Sequence, residues 1–210
     1  MTSFANSLPP TNSNLYHYAG NSPVKYTDPD GRNDKTAYDE MKNNLYILQI
    51  KVNLPGKDPT TNTLSSSKVE QNNDGKLSVD GGHAFVTLIH IDKTTLEIEK
   101  NTFGLYPAAK DGIIKGSTVA GKIADDSNSY FDNSFSFTIT KEGYNRALEY
   151  ANYKKKNPPS YNLYINNCVD FCVDIADKAE VDLPDLPIGS SPSNFNKVLM
   201  LFTVLWSDNE

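Results

Sequence analysis

The chain has 210 residues, of which 38% are hydrophobic and 22% charged; this suffices for one folded domain with an appendage and not for two full domains. Its 26 acidic and 20 basic side chains give a net charge of -6, and this acidic balance disfavours a nucleic acid as the partner. The longest apolar run, residues 198–206, is too short to cross a bilayer. Residues 1–10 lack a basic start and an apolar stretch, so no signal peptide is expected in this chain.

An aromatic stretch near the N-terminus leads into two turn sequences. Tyr16-His17-Tyr18 is followed by Asn21-Ser22-Pro23 and then by Asp28-Pro29-Asp30-Gly31-Arg32. The nineteen consecutive positions 14–32 resemble the closing motif of the rearrangement hot spot (Rhs) core, the shell-forming repeat protein of bacterial polymorphic toxins. In that family a variable toxic cargo follows the motif. The resemblance implies that residues 1–32 are the tail of an Rhs core and that the cargo begins at Asn33.

The same resemblance implies a biological setting. Proteins of this family are toxins of interbacterial competition, so we expect a secreted effector that is delivered into a target cell. Its expected partners are the Rhs shell, a secretion machinery, a cognate immunity protein and a macromolecular substrate.

Beyond the boundary, the hydrophobic pattern predicts an α+β fold. A leading unit, residues 33–75, combines a helix over 34–44, a buried strand over 45–53 and a long loop from residue 57 to 76. The main unit, residues 76–210, is expected to hold strands 83–91 and 96–103 joined by a hairpin at 92–94, a loop-like stretch 104–132, strand 134–139, helix 141–153 capped by Thr140, an extended segment 161–165, helix 168–179 capped by Asn166-Asn167, a Pro-rich coil 182–191 and a last helix 192–206. We therefore expect an antiparallel sheet packed against a helix that bears a cysteine.

Cys168 is the candidate nucleophile. It is predicted to lie in the first turn of its helix, where unpaired N–H groups and the positive end of the helix dipole stabilise a thiolate. Its polar neighbours favour an accessible helix start, although a free cysteine is more often a small buried hydrophobe. Cys172, one turn further along, fits that buried role. These are the only two cysteines, and we expect both to be reduced, since a disulfide across one helical turn would be strained.

A thiolate nucleophile needs a base, and imidazole is the usual one. The chain has three histidines. His17 belongs to the Rhs-like tail, and His83 follows two glycines at the start of a strand. His90 lies seven residues along the same strand and therefore on its other face, where we expect it to point to solvent. His83 is the predicted base.

Alternation along the hairpin suggests the residue that orients the imidazole. Phe85, Thr87 and Ile89 occupy alternate positions of the strand and therefore share the face of His83. Their character predicts that this face is the core side. A two-residue turn would place Thr102 directly across from His83, so Thr102 is the geometric candidate. Asn101 is chemically the better partner, and a bulge or a shift of register by one residue would bring it inward.

The order of histidine strand, hairpin and late cysteine helix is similar to the circularly permuted papain-like fold, which includes relatives of cell-wall peptidases and the lecithin-retinol acyltransferase group. The matching motifs are Gly82-His83-Ala84-Phe85-Val86, Phe103-Gly104-Leu105-Tyr106-Pro107 and Asn166-Asn167-Cys168-Val169-Asp170-Phe171. The resemblance implies a Cys-His mechanism through a thioester, with peptidase or amidase activity on peptidoglycan or on a protein. In that fold the third residue is usually His, Asn or Asp, so Thr102 departs from the usual pattern.

Three alternatives remain open. The same fold could be a lipid acyl hydrolase or an acyltransferase. It could also be a non-enzymatic binding module with Cys168 buried. A nucleic-acid-cleaving cargo is disfavoured by the charge. We expect neither a cofactor nor a metal, because the histidines and cysteines show no metal-ligand spacing.

Overall fold

The computed structural model describes residues 42–55, 69–71, 77–79, 81–108, 118–187 and 189–207. The Rhs-like segment 1–32, nearly all of the predicted helix 34–44 and most of the predicted loop 57–76 lie outside the described residues. Eight strands and three helices are assigned within them. The strands are β1 (Asn44–Asn53), β2 (Val69–Gln71), β3 (Leu77–Val79), β4 (His83–Asp92), β5 (Ile98–Pro107), β6 (Val119–Ala124), β7 (Asn133–Ile139) and β8 (Ser160–Tyr161). The helices are α1 (Lys141–Lys156), α2 (Cys168–Lys178) and α3 (Pro192–Ser207).

The main sheet has six strands in the order β7-β1-β4-β5-β6-β8. Every neighbouring pair in it is antiparallel, while β2 and β3 form a separate small hairpin. The predicted α+β fold with an antiparallel sheet is therefore confirmed. His83, the first residue of β4, lies opposite Asn53 at the end of β1.

The hydrophobic core lies between one face of this sheet and the helices. On β4 it is formed by Ala84, Val86 and Leu88, which share a buried cluster with Val169 and Cys172 of α2. The expectation that the His83 parity is the core side is thus wrong for the helix-packed core, since these three residues have the opposite parity. Phe85 and Thr87 are buried as well, so both faces of β4 are buried and alternation could not separate them.

Local capping signals predicted the helix starts correctly. Thr140 accepts a hydrogen bond from the Gly143 N–H at 3.0 Å and begins α1. Asn167 begins α2 through a capping box with Asp170. Both caps satisfy N–H groups that a first helical turn leaves without intrahelical partners.

The hairpin between β4 and β5 is longer than predicted. Asp92 donates its N–H to the Glu97 carbonyl at 3.0 Å, which leaves a four-residue loop that ends on Leu96 at a φ of 62°. Thr102 therefore lies opposite Thr87. The prediction that Thr102 faces His83 directly is wrong: the parity is right, but the register differs by four residues.

The stretch 104–132 is not simply a loop. β5 continues to Pro107, and β6 forms over Val119–Ala124 and pairs with it. The buried positions of β6 are Gly121 and Ile123, and a glycine gives no apolar signal in an alternating pattern. This extra strand matters because the segment after it reaches the end of the sheet where His83 lies.

Candidate active site

The start of α2 presents Cys168 as the first helical residue. The Val169 N–H donates to Asn167 Oδ1 at 2.7 Å, and the Asp170 N–H donates to the same oxygen at 3.4 Å. Asp170 returns the bond by accepting from the Asn167 N–H at 2.8 Å. The cap thus uses the N–H groups of Val169 and Asp170, the second and third helical residues. The cap does not use the backbone N–H of Cys168, the residue that carries the thiol.

Cys168 is more enclosed than the sequence suggested. The residue is 3% exposed, so the expectation of an openly accessible helix start is wrong. Cys172 is fully buried in the core, as predicted, and both cysteines are free thiols. Burial is the main cause that raises the pKa of Cys172 well above its ordinary value, which makes it a poor nucleophile.

The structure brings His83 and Cys168 together. Gly82 enters the strand at a φ of +74°, and a Cβ there would lie 2.6 Å from the Asn53 carbonyl oxygen. This glycine lets the chain turn tightly against β1 before His83. The His83 side chain is 15% exposed, and the Cys168 side chain lies close enough to raise the pKa of its ring.

The third group at this site is Asp126, which sequence reasoning missed. His83 Nε2 lies 3.1 Å from Asp126 Oδ2, and Asp126 is 3% exposed. The signal available in the sequence was the acidic pair Asp125-Asp126 at the end of β6. This pair was not recognised as part of a site because the stretch 104–132 was predicted to be loop-like. Without a predicted strand, its position relative to His83 could not be inferred.

The two predicted orienting residues lie elsewhere. The Thr102 hydroxyl is hydrogen-bonded to the Thr87 hydroxyl at 3.1 Å. Asn101 Nδ2 donates to Glu99 Oε1 at 2.8 Å and to the Tyr144 hydroxyl at 3.4 Å. Asp126 holds the position next to His83 that Thr102 or Asn101 was expected to hold.

The carboxylate of Asp126 is held on both oxygens. Oδ1 accepts from the Tyr106 hydroxyl at 2.6 Å and from the Ser129 hydroxyl at 2.8 Å, while Oδ2 faces His83. Burial acts to raise the pKa of Asp126, but the hydrogen bonds from His83, Tyr106 and Ser129 outweigh it and lower that pKa. Asp126 is therefore a carboxylate at neutral pH.

Gly104 provides the space for this arrangement. A Cβ at this position would lie 1.8 Å from Asp126 Oδ2 and 2.7 Å from His83 Nε2. Contacts of that kind are impossible for a real side chain, so the pairing of His83 with Asp126 requires a glycine on β5 here.

The electrostatic environment favours the protonated imidazole of His83. Burial lowers its pKa, but the hydrogen-bonded Asp126 carboxylate and the neighbouring Cys168 side chain outweigh the burial. Together they raise the pKa of His83 from 6.5 to about 9.

His90 lies at the other end of β4, on the opposite face as predicted. The expectation that it points to solvent is wrong. Its Nε2 is 2.8 Å from Asn44 Oδ1, and its ring stacks on Tyr46 with centroids 4.6 Å apart. His17 lies outside the described residues.

Within the part of the chain that the structure describes, no helix has the length and apolarity to span a membrane. Among these same residues, no three His, Cys, Asp or Glu side chains are arranged to hold a metal ion.

Comparison with known proteins finds one similar solved structure to report. The crystal structure of the type VI secretion system effector TseH matches with a TM-score of 0.42 and 15% sequence identity, over 75% of this chain and 89% of that one. No protein-family model and no curated protein matches the chain. A likeness at this score and identity assigns no function, so the functional argument depends on the geometry of the site.

Proposed function

We propose that this protein is a cysteine-dependent hydrolase of the peptidase or amidase type, with Cys168 as nucleophile, His83 as base and acid, and Asp126 as the residue that orients the imidazole. One observation carries the proposal: His83 Nε2 lies 3.1 Å from an oxygen of the buried Asp126 carboxylate, and the Cys168 side chain is near enough to the same ring to raise its pKa. A nucleophile, a base within hydrogen-bond reach and a third group that orients the base form the general arrangement for acyl transfer.

The geometry suggests how the groups share the chemistry. Asp126 engages Nε2 of His83, which leaves Nδ1 for the thiol. Transfer of the Cys168 proton to this ring gives a thiolate and an imidazolium, and the imidazolium is the form of His83 that its raised pKa favours at neutral pH. The sulfur of this ion pair then attacks the acyl carbon. The carbonyl electrons move to oxygen, where the Cys168 N–H at the helix start can donate to the developing oxyanion.

Collapse of this intermediate expels the leaving amine or alcohol, which takes the proton from His83 and leaves a thioester on Cys168. Water then attacks the thioester while His83 accepts its proton. The acid is released, and the proton returns to the sulfur. Transfer to another amine or alcohol would use the same steps with a different second nucleophile.

The fold and the setting belong to the same proposal. The histidine strand precedes the cysteine helix in the chain, which is the order of the circularly permuted papain-like fold. The resemblance of residues 14–32 to the Rhs closing motif supports a toxin that is delivered into a target cell, and its natural substrates are then peptide or amide bonds of peptidoglycan or of a protein.

A lipid acyl bond is the second candidate, and one observation favours it. Leu163, Tyr164 and Ile165 lie just before α2 and are 38%, 43% and 66% exposed. The Asn162 side chain accepts the Tyr164 N–H at 2.9 Å, and Asn167 Nδ2 donates to the Leu163 carbonyl at 3.0 Å. Three large, exposed side chains thus lie within five residues of the proposed nucleophile along the chain.

The test is to trap the thioester. The full chain would be incubated separately with peptidoglycan fragments, a mixed peptide library and phospholipid vesicles, and intact mass would report an acyl group on Cys168. We expect an adduct in one of the first two incubations, absent in Cys168→Ala and retained in Cys172→Ala. An adduct only from phospholipid would support the second candidate. No adduct and no product from any substrate would contradict hydrolysis and support a binding module.

Expression in the two bacterial compartments gives an independent result. Growth arrest only after export to the periplasm is expected for a peptidoglycan substrate, and arrest in the cytoplasm is expected for a protein or lipid substrate. In either case Cys168→Ala should restore growth.

A further inference from the structure

We infer that Tyr106 is a positioning residue of this site: its hydroxyl fixes the Asp126 carboxylate while its ring fixes the His83 imidazole. The inference rests on the proposed function and adds a fourth residue to it. Tyr106 contacts two members of the proposed triad, and its two contacts come from different parts of one rigid side chain.

The first contact is a hydrogen bond from the Tyr106 hydroxyl to one oxygen of the Asp126 carboxylate, the one that does not face His83. Tyr106 donates to Oδ1 at 2.6 Å, and Ser129 donates to the same oxygen at 2.8 Å. With Oδ1 occupied by two hydroxyl donors, the carboxylate cannot rotate without breaking both bonds, and Oδ2 remains directed at His83 Nε2.

The second contact is made by the ring. The Tyr106 and His83 ring centroids are 4.2 Å apart, with their planes inclined by 30°. His83 and Tyr106 lie on adjacent strands, each three residues beyond the last β4–β5 pair, Val86 opposite Phe103. The imidazole also stacks with Phe85, whose ring centroid lies 5.7 Å from that of His83.

Tyr106 remains a donor over the working pH range. Burial and the neighbouring Asp126 carboxylate raise its pKa above the ordinary value, so the phenol keeps its proton. The ionisable groups that act on His83 are then Cys168 from α2, Asp126 from the segment after β6 and, through Asp126, Tyr106 from β5.

The decisive variant is Tyr106→Phe, which keeps the ring and removes the hydroxyl. Tyr130→Phe is the matched control, because Tyr130 also donates to an aspartate of the same segment, Asp132 Oδ1 at 3.0 Å. The full chain of each variant would be titrated by NMR of its histidine rings, with His83→Gln used to assign the His83 signal. Turnover would be measured on the substrate that forms the thioester.

In Tyr106→Phe we expect the His83 titration midpoint to fall from about 9 toward 6.5, because a less firmly held carboxylate stabilises the imidazolium less. We expect kcat to fall about tenfold with KM unchanged, the size of effect expected for one lost hydrogen bond to a charged group. Tyr130→Phe should match the wild type in both measurements.

An unchanged His83 midpoint in Tyr106→Phe would overturn the inference. The titration needs no substrate, so it tests Tyr106 even if the wild type hydrolyses nothing. Absence of turnover by the wild type would count against the proposed function alone.

Discussion

The two ends of β4 carry histidines in closely similar surroundings. His83 lies 4.2 Å from the ring of Tyr106 and 3.1 Å from an oxygen of Asp126. His90 stacks on Tyr46 at 4.6 Å and lies 2.8 Å from an oxygen of Asn44. Each is therefore a half-buried imidazole with an aromatic neighbour and a side-chain oxygen on Nε2.

The chemical difference between these ends is the partner of each ring. The oxygen on His83 belongs to the charged Asp126 carboxylate, and the Cys168 side chain also raises the pKa of this ring. The oxygen on His90 belongs to the neutral amide of Asn44. A second aromatic ring, that of Tyr144, has its centroid 6.2 Å from that of His90. A half-buried histidine with a hydrogen-bond partner is thus not in itself a candidate base. We propose His83 for that role because its partner is charged and a cysteine lies near it.

The largest expected effect comes from removing each imidazole in turn. His83→Ala should reduce turnover by about 10²–10⁴-fold, the usual contribution of a general base. His90→Ala should leave turnover within about twofold and cost about 1 kcal/mol of stability through lost packing on Tyr46. Turnover and thermal unfolding, measured on both variants, check the comparison. Equal losses of turnover would contradict it.

The next effect tests the partner. Asp126→Asn gives His83 the same kind of neutral amide that His90 has. We expect turnover to fall by about 10²-fold or more, because the amide neither stabilises the imidazolium nor selects its tautomer. The converse change, Asn44→Asp, gives His90 a carboxylate and should leave turnover unaltered. Steady-state kinetics on the two variants checks this, and an active Asp126→Asn would remove Asp126 from the proposal.

A smaller effect is expected at Gly104, because the Asp126 carboxylate and the His83 ring occupy the space that a side chain at this position would need. In Gly104→Ala the new methyl group would collide with Asp126 Oδ2, so the carboxylate must move away from His83. We expect a loss of about 1–3 kcal/mol in the free energy of unfolding, together with reduced turnover. Gly81→Ala is the control, since a Cβ there meets no atom within 4 Å. Chemical denaturation of both variants measures the difference.

The sequence was sufficient to predict the parts of this site that depend on local signals. Helix caps located Cys168 at the start of α2, and the glycine pair before an apolar run located His83 at the start of β4. Both predictions use residues within a few positions of the site residue itself.

The third residue could not be found in this way, because it depends on register and on a strand with a weak pattern. A four-residue loop that ends on Leu96 in the left-handed conformation moved Thr102 away from His83, and leucine gives no signal for such a turn. In β6 the buried position 121 is a glycine. An apolar residue there would have completed the alternating pattern that predicts a strand. Asp126 therefore had no predicted strand to place it at the end of the sheet.

The last comparison of the two histidines uses the pH dependence of stability. The folded protein raises the pKa of His83 from 6.5 to about 9, so the folded state binds a proton more tightly than the unfolded state does. The stability from this proton is complete below pH 6.5 and is lost as pH rises through about 9; its upper value is on the order of 3 kcal/mol. The measurement is the free energy of unfolding between pH 6 and 10. We expect the decline with pH to be smaller in His83→Gln and to persist in His90→Gln, because the oxygen on the His83 ring belongs to the Asp126 carboxylate and the oxygen on the His90 ring belongs to the neutral amide of Asn44. A decline that His83→Gln does not reduce would show that the protonated ring is not stabilised at that end of β4.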